Sequence, residues 1–100
     1  MNNRVLKNLN YPQNNLGTKK EMKYFQRNAA VALGNTRNPE YISDLETEMS
    51  NPEEVVRTHS AWALGRIGTA AAKNVLEKKR VTENSTAVRK EIEAALGKIV

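Results

Sequence analysis

The sequence predicts an all-α solenoid of about five helices stacked as antiparallel pairs, and three observations predict it. The first is internal repetition. Ala32-Leu33-Gly34, Ala63-Leu64-Gly65 and Ala95-Leu96-Gly97 place their glycines 31 and 32 residues apart. Around them, aligned columns hold Phe25/Val56/Val88, Ala30/Ala61/Glu93 and Thr36/Ile67/Ile99. A fixed period of this size with apolar columns in register is a solenoid signature. The second is helical spacing of apolar residues, with no strand-like alternation of useful length. The third is punctuation: cap and breaker residues cut the chain into segments joined by connections of about 2–6 residues.

The elements follow in order. Residues 1–17 are rich in Asn, with Pro12 and Gly17 as breakers, and read as a loop or linker with a short helical turn at residues 5–9. The repeat domain is expected over residues 18–100. Thr18 followed by Glu21 matches a capping box, opening a helix to Gly34. Met22, Phe25, Ala29, Ala32 and Leu33 lie on its apolar face, and Lys19, Lys20, Lys23 and Arg27 lie largely off it. Asn38-Pro39 opens a second helix, with Tyr41, Ile42, Leu45 and Met49 inward and Glu40, Asp44, Glu46 and Glu48 on a solvated acidic side. Asn51-Pro52-Glu53-Glu54 repeats that start signal for a third helix ending at Gly68. A fourth is expected over residues 70–80, closed by Lys78, Lys79 and Arg80 at its negative dipole end. The fifth opens at Asn84 or Ser85 and runs to Lys98. Each glycine of the repeated triplet costs about 1 kcal/mol of helix propensity relative to Ala. Three such costs at one repeating position predict close helix–helix approach at Gly34, Gly65 and Gly97.

Composition narrows the chemistry. The chain has 100 residues and no cysteine, which removes disulfides, thiolate nucleophiles and iron–sulfur ligation. No apolar run reaches the roughly 18–20 residues of a membrane span and no leader pattern is visible, so a cytoplasmic, non-membrane protein is expected. The net charge of +5 is distributed as +5 over residues 1–34, −3 over 35–68 and +3 over 69–100. Basic ends around an acidic middle fit an anionic partner such as nucleic acid, and equally fit solvated helix faces.

Catalytic constellations do not assemble. His59 is the single histidine, so neither a local metal site nor a nucleophile–base pair can be built around it. The glycines are singletons rather than a phosphate loop. Trp62 shares a column with Val31 and Ala94, and fits either a core filler between repeats or a platform for a stacked base. Arg57 and Arg89 share another column, where an arginine can bond carbonyls and acids between helices. Arg66, Lys98 and Asn35 share a third, at the helix end where cations suit the dipole or a phosphate rim.

The Val-Arg start and Ala-Leu-Gly end, recurring every thirty-odd residues, resemble HEAT-like repeats of the phycobilisome-lyase type. The Gln26-Arg27-Asn28-Ala29 block, the Ala61-Trp62-Ala63-Leu64-Gly65 block and the spacing between them are together similar to the C-terminal segment of the epoxyqueuosine reductase family. The similarity extends over roughly residues 17–99. That family reduces epoxyqueuosine to queuosine in tRNA, using cobalamin and [4Fe–4S] clusters carried by domains N-terminal to the matched region. Nothing of those domains is present here, so the resemblance implies a non-catalytic module without a cofactor of its own. In the family this helical part helps hold tRNA. Carried over by position, the implied nucleic-acid contacts are Lys19, Lys20, Lys23, Arg27, Arg57 and Arg66. A catalytic domain or chain of the same family is an implied partner. The acidic stretch from Glu40 to Glu54 motivates the alternative, a protein–protein adaptor.

Overall fold

The computed structural model describes residues 19–99, with side chains from residue 21 onward. The expected linker 1–17, its turn at 5–9, the Thr18 cap and Val100 lie outside the described residues. Helix α1 spans Lys19–Thr36. A 3₁₀ turn at Pro39–Tyr41 leads into α2, Ile42–Glu48. Helices α3, Glu54–Ile67, α4, Ala70–Thr82, and α5, Thr86–Gly97, complete the described chain.

Local chemistry sets most boundaries. Asn38 Oδ1 accepts from the Glu40 amide at 3.0 Å, with Pro39 at the first helical position as predicted. Thr69 and Ser85 cap α4 and α5 by accepting from the amides of Ala72 and Val88. Gly68, at φ +70°, ends α3 in the left-handed region, its N–H bonded to Leu64 O. Three boundaries differ from expectation, the first being α4, which runs on past Arg80 to Thr82. Helix α1 runs on to Thr36 and closes through Arg37, which takes φ +54° and donates to Gly34 O. Asn51 does not cap α3: its Oδ1 accepts from Glu53 N at 2.8 Å in a separate turn, and α3 begins at Glu54. The Asn51 amide is used for tertiary contacts instead, donating to Glu48 Oε2 and Gln26 Oε1.

Two layers result. Helices α1, α3 and α5 lie side by side, and α2 and α4 cover them, packing on α3 and, for α4, also on α5. Leu33, Leu45, Leu64, Leu76 and Ile92 are fully buried between the layers. Each such side chain contributes about 1.5–3 kcal/mol of transfer free energy. The contacts keep the sequence register, which makes α1, α3 and α5 parallel. A Cβ on Gly34 would meet Ala63 Cα at 2.8 Å, and one on Gly65 would meet Ala95 Cβ at 2.7 Å. Both glycines lie inside helices and serve close approach, as their recurrence predicted. Gly97 does not, because a Cβ there would meet nothing within 4 Å. No described helix stacks on α5. In the column of the fully buried Ala30 and Ala61, α5 carries the exposed Glu93, paired with Arg80 at 3.4 Å. At this position α5 therefore carries a charge pair where the two earlier repeats carry buried alanine.

The acidic side predicted for α2 also needs correction. Asp44 and Glu48 are buried, at 9% and 6% exposure. Residues 41, 44, 45 and 48 follow the i, i+3, i+4, i+7 spacing of one helix face, so the two acids share the inward side of α2. Glu48 is satisfied there by Asn51 Nδ2 at 2.9 Å.

Candidate functional site

Parallel stacking turns each sequence column into a row across α1, α3 and α5. Three rows concern the uncovered side of this layer: Arg27/Thr58/Lys90, Asn28/His59/Glu91 and Val31/Trp62/Ala94. Val31, Thr58, His59, Trp62 and Glu91 together line an open cleft of about 280 Å³. One edge of the Trp62 ring packs where a Gly34 Cβ would stand, 2.9 Å from Cζ3. Trp62 is accordingly half-buried, filling the α1–α3 contact and lining the cleft at once.

The sequence-predicted cations divide by geometry. Arg27 Nε and Nη2 donate to Asn28 Oδ1 at 3.1 and 3.0 Å, and its guanidinium lies 5.0 Å from the Tyr24 ring centre. Arg66 Nε donates to Asn35 Oδ1 at 3.3 Å across α1 and α3, with its guanidinium 5.8 Å from the Trp62 ring. Both are oriented by a neutral amide and an aromatic ring, and neither forms an ion pair among the described residues. Lys23 lies 5.5 Å from the Tyr24 ring and 3.9 Å from Glu53 Oε2. A solvent-facing pair at that distance is worth about 0–1 kcal/mol, so its charge is loosely committed. The side chains of Lys19 and Lys20 lie outside the described residues.

Arg57 is separate from this group. It lies five residues before Trp62, about 140° around the helix, and has its donors engaged. Nε and Nη2 grip Glu83 Oε1 and Oε2 at 3.0 and 3.1 Å, and Nη1 donates to Asn51 O and Pro52 O at 2.9 and 3.1 Å. Burial pushes the Glu83 carboxyl up, but the Arg57 hydrogen bonds and charge and the backbone N–H groups of Ser85 and Asn84 outweigh it, leaving a net downward shift. In the same column, Arg89 Nη1 donates to Glu83 O at 3.1 Å, the counterpart of the Arg57–Asn51 bond one repeat earlier. These arginines tie inter-helix turns together, so Arg57 leaves the candidate interface.

Part of the acidic middle is taken up within the fold. Besides the buried Asp44 and Glu48, Glu46 pairs with Lys78 and Glu53 with Lys23. Sequence reasoning set Asn35 beside Arg66 in one column, but passed over Glu91 and gave His59 no role. The register that defines the repeats already placed His59 with Glu91, and Asn35 with Arg66.

Among the described residues no group of three His, Asp or Glu could hold a metal ion, and no helix is long and apolar enough to cross a membrane. Parallel helices in a common register, with one face carrying cations and aromatic rings, define a helical-repeat module. The chain belongs to the HEAT repeats family, whose pattern it matches over residues 17–97. It is also similar to epoxyqueuosine reductase of Bacillus subtilis (strain 168), 33% identical over 81 residues. That stretch is 80% of this chain and 21% of the relative, so the chain spans about a fifth of the relative's length.

Proposed function

We propose that the chain is a non-catalytic RNA-docking module, with tRNA as its ligand, acting beside a catalytic domain or chain of the epoxyqueuosine reductase type. A cytoplasmic location goes with that partner. One observation carries the reading: Arg27 and Arg66 are positioned by neutral groups next to aromatic rings, with no carboxylate paired to them among the described residues. Guanidinium groups held this way are pre-oriented for phosphate oxygens, and rings beside them suit unpaired bases. Lys23 extends the same face toward the start of α1. An adaptor role is less favoured, since much of the acidic stretch that would attract a basic protein is buried or paired.

The test is fluorescence anisotropy of labelled tRNA titrated with the chain across salt concentrations. Affinity should fall linearly in a log–log plot, with a slope reporting about three or more released counterions. Absence of binding at low salt would rule the reading out.

A further inference from the structure

We propose that the cleft between α1, α3 and α5 receives one unpaired nucleobase of the bound RNA, guanine by preference. The inference rests on the RNA reading above and adds what the cleft itself selects. It is lined by the exposed part of Trp62, the single tryptophan of the chain, which offers a stacking surface to any base. Its polar groups are acceptors. His59 Nδ1 lies 2.7 Å from Val55 O. A carbonyl only accepts, so Nδ1 carries the proton and Nε2 of the neutral ring is left with its lone pair. Glu91, in the same row, has no hydrogen bond or ion pair among the described residues, and a carboxylate accepts through both oxygens.

Acceptors lining one cleft with a stacking surface select a ring whose edge presents donors. Guanine offers N1–H and the N2 amino group side by side, matching the two oxygens of one carboxylate. Adenine and cytosine offer one amino group beside a ring acceptor, and uracil flanks its N3–H with two carbonyls that Glu91 would repel. A phosphate is excluded by the same carboxylate. A free organic cation would meet Arg66 over the Trp62 ring, with Arg27 and Lys90 in the row beside it. An RNA strand uses both features, placing phosphates on the cations at the rim and a base against the acceptors inside.

The experiment uses the full chain and oligouridine 9-mers carrying guanosine, inosine, adenosine or uridine at the centre. Anisotropy reads binding, and Trp62 fluorescence reads occupancy of the cleft. The guanosine strand should bind about tenfold tighter than the inosine strand, which lacks the N2 amino group, and should quench Trp62. Glu91→Gln should bring the two strands within about twofold while leaving the salt slope unchanged. Salt-dependent binding with no base preference and unchanged Trp62 emission would overturn the cleft proposal and leave the docking reading standing. No binding of either tRNA or the 9-mers would overturn both. Quenching by a lysine-rich peptide but by no RNA would instead assign the cleft to a cationic protein partner.

Discussion

Glu83 receives both forks of Arg57 on its carboxylate while its own backbone carbonyl accepts from Arg89. One residue in the α4–α5 turn thus links two successive repeats. The Arg57 side chain is 18% exposed and that of Glu83 6%, so water replaces little of this network when one partner is removed. Arg57→Ala should destabilise the chain by about 3 kcal/mol, measured by urea denaturation followed by helical circular dichroism.

The same pair sets an acid response. The Glu83 carboxyl is more acidic folded than unfolded, so its ionisation stabilises the fold above the unfolded carboxylate pKa of about 4.3. That contribution fades as pH falls through the lower folded value. The stability gap between the wild-type chain and Glu83→Gln should be full at pH 7 and narrow below about pH 4. A gap independent of pH would show that the charge on Glu83 is not what matters.

The three repeated glycines should respond differently to one substitution. A Cβ at Gly34 or Gly65 falls under 3.0 Å from backbone and side-chain atoms of the next helix. Gly34→Ala and Gly65→Ala should therefore each cost about 1–3 kcal/mol. Gly97 has open space, and Gly97→Ala should stabilise by about 0.5–1 kcal/mol through helix propensity. Thermal melts of the three single variants would separate the positions.

Ser60 is fully buried and its hydroxyl has no hydrogen-bond partner among the described residues. Ala29, one repeat earlier in the same column, fills the equivalent place without a polar atom. Ser60→Ala should raise stability by about 1 kcal/mol, visible as a higher melting temperature with unchanged spectra.

Charge reversal should separate the two classes of arginine. Arg27→Glu with Arg66→Glu should weaken tRNA binding at least tenfold and reduce the salt slope by about 2, with the fold retained. Arg57→Lys should lower stability, yet bind tRNA normally where it remains folded. Equal binding losses in both variants would place Arg57 back among the RNA contacts.

Much of this was legible in the chain. The 31- and 32-residue spacing gave the solenoid, and the Ser85 and Asn38 caps gave helix starts, because short-range hydrogen bonds depend on neighbouring residues alone. Asn51 misled because its pattern repeats that of Asn38, while its amide is claimed by Gln26, 25 residues away. Glu91 went unnoticed as a site residue because a carboxylate on a helix is ordinarily solvated; only its row-mate His59 gives it a cleft to face.

The sequence by itself determined the helices, their period and the close approach at Gly34 and Gly65, since periodicity and cap chemistry are local properties repeated in register. The tertiary structure decided which charges remain for a ligand. Arg57 and Arg66 are alike in type and lie on one helix, yet Arg57 is neutralised by a carboxylate from another turn and Arg66 is steadied by an amide and a ring. The difference is made by neighbours 26 and 31 residues distant, and packing alone brings them into reach.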